Sequence, residues 1–178
     1  AKLGLDYVDL YLVHWPKPEH TKETWRAMEE IRQSGKARAI GVSNFLPDHL
    51  DQLAETATVL PSINQIEFHP HLQSPELVAY CEDHNIVLEA WSPLKAGRIL
   101  DDPELRLLAD AHGVTVPQVV LRWMLQRGIV TIPKSVTPLR IARNADLYGF
   151  ELSHDEVAAI NNMDRSDRVG PDPATFDF

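Results

Sequence analysis

The sequence predicts an α/β fold, specifically part of a (β/α)8 barrel, also called a TIM barrel. Short β-branched runs alternate with amphipathic helical patterns, which is typical of a parallel sheet with helical crossovers. The eight glycines never fall at the Gly-x-Gly-x-x-Gly spacing of an open dinucleotide-binding sheet. A closed barrel needs eight strands and about 250 residues. The five strands predicted in 178 residues therefore indicate an incomplete barrel with two open edges.

The first half of the chain contains three of these strands. Runs rich in β-branched and aromatic residues cover 7–13, 37–42 and 63–68. Trp25 and Met28 recur at helical spacing in 21–34, a pattern that Gly35 ends, and apolar residues mark another helix over 50–57. The chain thus passes from strand to helix twice before the third strand.

The second half of the chain adds two strands, at 86–91 and 129–133, and five helices. Sequences that start or cap helices precede each one: Ser74-Pro75-Glu76, Asp102-Pro103-Glu104, Pro117, Thr137-Pro138 and the capping box Ser153-His-Asp-Glu156. The last helix is expected to run through Ile160 and Met163, followed by a tail. At the other terminus, Lys2 and Gly4 give Ala1–Leu5 the pattern of a helix's last turn, so the chain is expected to begin within a fold.

Composition and charge limit the partners of this chain. A formal net charge of −9 argues against nucleic-acid or anionic-membrane binding, which requires a basic face. The single cysteine, Cys81, excludes an intrachain disulfide framework, gives no zinc pattern and is expected to be buried and unreactive. With no apolar run of about 18 residues and no signal-peptide layout, we expect a cytoplasmic protein.

Polar and aromatic residues follow the predicted strands at their carboxyl ends: His14-Trp15, Ser43-Asn44, Gln65 with His69, Trp91-Ser92 and Lys134-Ser135. Because the carboxyl ends of successive parallel strands lie on one face, these residues predict one site. Amide and hydroxyl groups suit an uncharged carboxamide, an indole suits stacking on a flat ring, and a Lys-Ser pair suits phosphate. Arg140 adds a second cation, on a helix whose amino-terminal N–H groups favour anions.

Each of these residues also has an ordinary structural interpretation. Ser43 and Asn44 suit a turn, Gln65 suits a buried strand, Trp91 suits a core, and Lys134 suits solvated surface. His14, taken alone, suits a hydrogen-bonding surface position. It is their coincidence at one end of the sheet that favours a functional site.

Four motifs make the sequence resemble the aldo-keto reductases: Leu-Gly-Leu-Asp-Tyr-Val-Asp-Leu-Tyr-Leu-Val-His-Trp-Pro (3–16), Gly-Val-Ser-Asn-Phe (41–45), Gln-Ile-Glu-Phe-His-Pro (65–70) and Ile-Pro-Lys-Ser-Val-Thr (132–137). Ala-Trp-Ser-Pro-Leu (90–94) and the Gly-Pro-Asp-Pro tail are similar to bacterial diketogluconate- and methylglyoxal-reductase-like members. The resemblance implies that 1–178 is the carboxyl-terminal part of one barrel domain, covering roughly its last five βα units without its first strands, and that 165–178 is its tail. It also implies NADPH bound across the barrel face and hydride transfer to a carbonyl carbon.

The resemblance gives each strand-end residue a role. His14 matches the active-site histidine that orients the substrate carbonyl, and Trp15 would line the substrate pocket. The implied cofactor contacts are Ser43, Asn44 and Gln65 for the carboxamide, Trp91 for stacking on nicotinamide, Ser92 and Leu94 for pyrophosphate, Lys134, Ser135 and Arg140 for the 2′-phosphate, and Asn144 for adenine. Arg143 departs from the family, many members of which carry an acidic residue there.

The catalytic set of the family also includes an aspartate, a proton-donating tyrosine and a lysine from strands before the histidine strand, and this chain has no match for them. Tyr7 and Tyr11 lie in a predicted strand, while Tyr80 and Tyr148 lie on helical patterns. The expected function is NADPH-dependent reduction of a small-molecule carbonyl by a protein that is monomeric when full-length and needs no metal.

Two alternatives remain open: a truncated, non-catalytic NADP-binding or regulatory module, and a different phosphate-binding barrel enzyme such as an isomerase. The loops at 15–22 and 95–101 and the tail with Phe176 and Phe178 suggest an apolar, aromatic-lined pocket. Aldehydes and α-dicarbonyls are the substrates we expect.

Overall fold

The structure is a computed structural model that describes residues 4–176. Its strands are β1 (Val8–Val13), β2 (Ala37–Ser43), β3 (Ile63–Glu67), β4 (Val87–Trp91) and β5 (Val130–Thr131). Its α-helices are α1 (Thr21–Gln33), α2 (Pro47–Ala54), α3 (Pro75–Asp83), α4 (Pro103–His112), α5 (Val116–Gln126), α6 (Pro138–Ala145) and α7 (His154–Asn161). The helical turn predicted at the amino terminus falls largely on residues 1–3, which lie outside the described residues, as does Phe178 of the predicted tail.

The strands form one sheet in the order β1-β2-β3-β4-β5. Pairing is parallel between β1 and β2, with Tyr11 opposite Ile40, and between β2 and β3. It is also parallel between β4 and β5, with Ala90 opposite Thr131. A doubly wound sheet reverses its strand order at a switch point, whereas this order follows the chain throughout, in agreement with the predicted incomplete barrel.

Local sequence explains where most elements begin and end. Asp102 caps α4 by accepting the Glu104 N–H at 3.1 Å, and the predicted capping box of α7 forms between Ser153 and Glu156. Helix α7 stops at Asn161, so Met163 lies beyond its end, contrary to the prediction. The predicted elements therefore exist, with shifts at their ends.

Strand β5 is shorter than the predicted run. It keeps only two residues, Val130 and Thr131. On one side, the Ile129 N–H donates to the Met124 carbonyl of the preceding helix at 3.0 Å. On the other, Pro133 has no N–H to donate to a neighbouring strand.

The chain divides into two compact units. Unit 1 holds the described residues up to Ile66, then Glu76–Leu88 and those from Pro171 onward; unit 2 holds Glu67–Pro75 and Glu89–Gly170. In unit 1, Trp25 is 1% exposed and its indole N–H donates to the Val59 carbonyl at 2.9 Å. Gly41 lies so close to β3 that a Cβ there would be 2.7 Å from Ile63 Cγ2, which only glycine permits.

Unit 2 has its own core, formed mainly by α5. Trp123 is fully buried and stacks on Phe68 with ring centroids 5.4 Å apart. The Arg127 guanidinium lies 5.0 Å from the Trp123 ring centroid and 5.3 Å from that of Phe68. The Trp123 indole N–H donates to Asn161 Oδ1 at 2.9 Å, which ties α5 to the end of α7.

Candidate functional site

The first group of candidate residues, in unit 1, begins directly after β1. His14 is exposed, and its ring centroid lies 6.1 Å from that of Trp15. Trp15 is half-buried and packs against Phe176 of the tail, with centroids 4.4 Å apart. An exposed imidazole thus lies beside the Trp15 ring, which in turn packs on Phe176, and such an aromatic surface is typical of apolar ligand pockets.

Ser43 and Asn44 are buried where β2 ends, and they join three strand ends. The Asn44 amide nitrogen donates to the His14 carbonyl at 3.0 Å and to Ser43 Oγ at 3.1 Å. The Ser43 hydroxyl and the Asn44 N–H both donate to the Gln65 carbonyl, at 2.8 and 2.9 Å. The structure therefore brings together His14, Ser43, Asn44 and Gln65, as the parallel register of their strands predicted.

This arrangement fixes what each polar group can offer to a ligand. The hydroxyl proton of Ser43 is already donated to a carbonyl, so further hydrogen bonds at its oxygen can only be accepted. Asn44 has a φ of +64°, a left-handed conformation that asparagine tolerates better than most residues. The pair is buried and held in one conformation by the protein alone.

The second group, in unit 2, starts at the end of β4. Trp91 is the last residue of that strand, and its carbonyl accepts the Phe68 N–H at 3.4 Å. Trp91, Ser92 and Leu94 are all half-buried. Ser92 has a φ of +50° and accepts the Lys95 N–H at 2.8 Å through its carbonyl, so the chain turns sharply after the strand.

The turn that follows is left-handed. Lys95, Ala96 and Gly97 have φ values of +50°, +52° and +87° and form a short 3₁₀-type turn of i to i+3 hydrogen bonds. Left-handed backbone costs a non-glycine residue roughly 1–2 kcal/mol. Two such residues in succession must be held by their surroundings.

A buried polar cluster supplies that hold, and sequence reasoning missed it. The Lys95 ammonium is buried, pairs with Asp167 and lies 3.2 Å from His71 Nδ1, while His71 Nε2 lies 3.2 Å from Asp102 Oδ2. Burial lowers the pKa of His71, and the nearby cations Arg165 and Lys95 lower it further. His71 is therefore neutral at pH 7, and both the Lys95 ammonium and the Arg165 guanidinium lie within hydrogen-bond distance of its ring.

The phosphate-type residues of unit 2 differ from both of these sets. Lys134 and Arg140 are exposed, and neither has an ion-pair partner among residues 4–176. Ser135 is half-buried, and its Oγ accepts the Thr137 N–H at 3.3 Å. The Thr137 side chain makes no capping bond to α6, so the first N–H groups of that helix are left for an anion.

Asn144 and Arg143 lie in the last turn of α6. Asn144 is half-buried and Arg143 is exposed. Arg143 is therefore the second positive charge on this helix, with Arg140, at a position where the resemblance leads us to expect an acidic side chain.

Glu67 is the second functional candidate that sequence reasoning missed. Glu67 is buried, and its carboxylate accepts the N–H groups of Val169 and Gly170, at 2.7 and 3.0 Å. A carboxylate between Ile66 and Phe68 in a buried strand was the available signal, since such a charge requires partners. Its backbone partners, Val169 and Gly170, lie more than 100 residues away, where no local pattern could indicate them.

Metal sites and membrane spans are not features of the described structure. Within residues 4–176 no group of three or more His, Cys, Asp or Glu side chains could hold a metal ion. In the same range, no helix has both the length and the apolar character needed to cross a bilayer.

Comparison with known proteins identifies the fold and the family. The model of the aldo/keto reductase family matches residues 1–165. Glyoxal reductase of Bacillus subtilis is 51% identical to the chain over 172 residues, 97% of this chain and 62% of that protein. Methylglyoxal reductase DkgA of Escherichia coli K12 is 48% identical over 179 residues, 98% of this chain and 65% of that protein.

A solved structure agrees as well. A mutant of Gox0644 in complex with NADPH superposes with a TM-score of 0.93 and 46% identity, over 97% of this chain and 65% of that one. This agreement supports the predicted incomplete barrel, and the DkgA match confirms the resemblance to methylglyoxal-reductase-like members. The chain spans 62–65% of the length of the two curated relatives. The chain belongs to the aldo/keto reductase family.

Proposed function

We propose that a protein containing this chain reduces small aldehydes and α-dicarbonyls to alcohols with NADPH. The observation that carries the proposal is the pair of exposed cations, Lys134 and Arg140, which have no ion-pair partner in the described residues, beside the uncapped start of α6. In a protein of net charge −9, cations so arranged fit a dianionic phosphate monoester. NADPH carries such a group at its ribose and NADH does not.

The remaining residues fit the other end of the same cofactor, which supplies the hydride when it is bound. Ser43, Asn44 and Gln65 would hold its carboxamide; Ser43 Oγ is suited to accept from the amide nitrogen. Trp91 would stack on the nicotinamide ring. Ser92 and Leu94 would meet the pyrophosphate, Ser135 would join Lys134 and Arg140 at the 2′-phosphate, and Asn144 would contact adenine.

His14 would hydrogen-bond to the substrate carbonyl and fix its orientation toward the cofactor. A donor aimed at that oxygen stabilises the negative charge that develops on it. Proton transfer needs a further acid, worth roughly 10²- to 10⁴-fold in rate. The resemblance gives that role to a tyrosine, with its aspartate and lysine, on strands that precede the histidine strand.

The substrate class rests on the pocket and on the relatives. Trp15 and Phe176 offer an apolar, aromatic surface beside His14. A small, flat dicarbonyl suits such a surface. The names of the Bacillus and Escherichia relatives, glyoxal reductase and methylglyoxal reductase, point to the same class.

A second candidate function is a non-catalytic NADP-binding or regulatory module. Its support is that the proposed cofactor contacts, such as Lys134 and Arg140, would bind NADP without themselves taking part in a chemical step. Both versions of the proposal include a cytoplasmic location, a monomeric state and no nucleic-acid or membrane partner.

A titration of the purified 178-residue chain distinguishes these functions. NADPH and NADH are added in turn while tryptophan emission is followed, and methylglyoxal is then added while NADPH absorbance is followed. Binding with turnover supports the reductase and excludes the module, whereas binding without turnover supports the module for this chain. Equal affinity for the two cofactors would overturn the phosphate assignment and favour another phosphate-binding barrel enzyme.

A further inference from the structure

The segment Val169–Gly170, which follows α7 by several residues, is anchored on one carboxylate. Glu67 Oε1 accepts the Val169 N–H at 2.7 Å, and Glu67 Oε2 accepts the Gly170 N–H at 3.0 Å. Two backbone donors on the two oxygens of one carboxylate fix the position of that segment in two directions. Bonds to a charged acceptor are stronger than neutral ones.

The carboxylate is itself held in the core of unit 2. The Glu67 side chain is fully buried, and His69 Nε2 lies 3.1 Å from its Oε1. Burial alone would raise the pKa of Glu67, but the hydrogen bonds from His69, Val169 and Gly170 outweigh burial and lower that pKa below its ordinary value. Glu67 is therefore ionised at neutral pH, and the His69 Nε2–H donates to it.

The two ring nitrogens of His69 differ in their hydrogen bonding. Its Nδ1 is buried and has no hydrogen-bond partner among residues 4–176. The ring is therefore anchored through Nε2, by its bond to Glu67. His69 and Glu67 form one rigid support beneath the Val169–Gly170 segment.

Gly170 in turn lies against the edge of Trp91. A Cβ at Gly170 would overlap Trp91 Cη2 and would lie 3.2 Å from both Trp91 Cζ2 and Glu67 Oε2. Real Cβ atoms do not approach that closely, so any larger residue would push the indole away. The absence of a side chain at Gly170 is what allows the segment to limit the position of the ring.

We propose that Glu67 is a positioning residue that sets the plane of the Trp91 indole by holding Gly170 against its edge. This inference rests on the proposed function, in which Trp91 stacks on nicotinamide. The ring plane then fixes the distance and tilt of the hydride-bearing carbon. In this proposal the segment acts on the cofactor through the indole.

The decisive test is a double-mutant cycle in the full-length protein. Gly170→Ala inserts the Cβ that displaces Trp91, and we expect kcat/KM with NADPH to fall roughly 10- to 100-fold, because misplacement by about 1 Å is that costly. In a Trp91→Phe background the shorter ring lacks the overlapping atoms. There Gly170→Ala should cost less than about twofold.

A merely structural role for Gly170 predicts equal losses in both backgrounds, and that result would overturn the inference. Gly149→Ala is the matched control, since a Cβ at Gly149 meets nothing within 4 Å. Glu67→Gln, which keeps the shape but loses the charge, should reduce kcat/KM roughly tenfold. The NADPH-to-NADH preference should not change in any of these variants.

A second readout separates this inference from the proposed function. The contribution of Trp91 to the near-ultraviolet circular dichroism, the Trp91 band, is obtained from the ligand-free protein by subtracting the spectrum of Trp91→Phe. Gly170→Ala and Glu67→Gln should alter that band, and Gly149→Ala should not. An unaltered band overturns the inference even if the wild type reduces methylglyoxal, while an altered band supports it even if the wild type does not.

Discussion

The carboxamide-type residues of unit 1 and the phosphate-type residues of unit 2 differ in how far the protein satisfies them. Ser43 and Asn44 are 2% and 3% exposed, and Asn44 alone donates to two oxygens from its side chain. Lys134 and Arg140 are exposed and have no ion pair in the described range. The first group is already ordered by hydrogen bonds within the protein, whereas the charges of the second group are exposed to solvent.

The contrast suggests different roles for the two groups: the first would orient the cofactor, and the second would contribute most of its affinity. A pre-organised group loses little conformational entropy on binding and can impose an orientation. Long cationic side chains lose more, but they gain charge-assisted bonds to phosphate. We therefore expect changes in the first group to affect stability and changes in the second to affect cofactor affinity.

The largest expected effect is on stability, from Asn44→Ala. The variant leaves the His14 carbonyl without its donor and puts alanine at a φ of +64°, so the free energy of unfolding should fall by about 2–4 kcal/mol. Urea denaturation measures the loss. Asn44→Gly removes the same hydrogen bonds but adopts this φ freely, so it should lose about 1–2 kcal/mol less. A loss under about 0.5 kcal/mol for Asn44→Ala would contradict the pre-organised description.

The next effect is on cofactor affinity. Lys134→Ala and Arg140→Ala should each weaken NADPH binding about 10- to 100-fold and leave NADH binding unchanged, because only NADPH carries the 2′-phosphate. Stability should change by less than about 0.5 kcal/mol, since both side chains are exposed. Lys36→Ala, also exposed, removes the same charge elsewhere and serves as the control. Similar losses for both cofactors would refute the assignment.

A smaller effect is expected at Ser135, whose side chain already accepts a hydrogen bond from the Thr137 N–H. Ser135→Ala removes the acceptor of the Thr137 N–H and one proposed phosphate donor. We expect NADPH affinity to fall about 3- to 10-fold, because one uncharged donor contributes less to phosphate binding than a cationic side chain does. Isothermal titration measures this, and Ser135→Thr, which restores the hydroxyl, should recover most of it. No recovery would indicate that the hydroxyl is not the group involved.

The smallest effect is a pH dependence, which tests whether the loop after β4 is also pre-organised. The pKa of His71 is lowered in the folded protein. At pH values below the ordinary histidine pKa near 6.5, His71 therefore binds a proton more readily in the unfolded chain than in the folded one. Stability should therefore fall as pH decreases from about 7 to 5. His71→Gln should flatten that slope in thermal melts at several pH values. An unchanged slope would mean that the buried cluster does not titrate.

Local chemistry made most of the fold predictable. The Ser153–Glu156 capping box and the Asp102 cap form as the sequence indicated, because each depends on residues within three positions. The Ser43–Asn44 group was predictable because parallel register follows from strand order.

The buried supports of the site were not predictable in this way. Glu67 meets Val169 and Gly170 more than 100 residues along the chain, and Lys95 meets Asp167 across 72 residues. A buried charge in a strand indicates that a partner exists but not which residue it is. Only the folded chain identifies that partner.

The left-handed turn at Lys95–Gly97 has a consequence for protein engineering. Glycine usually loosens a chain, because the unfolded state gains more freedom than the folded state. At Ala96, with a φ of +52°, the folded chain already adopts the backbone that glycine prefers. An Ala96→Gly exchange would remove the strain of a left-handed alanine. A search for thermostable variants should therefore include this position, although glycine is usually avoided in such searches.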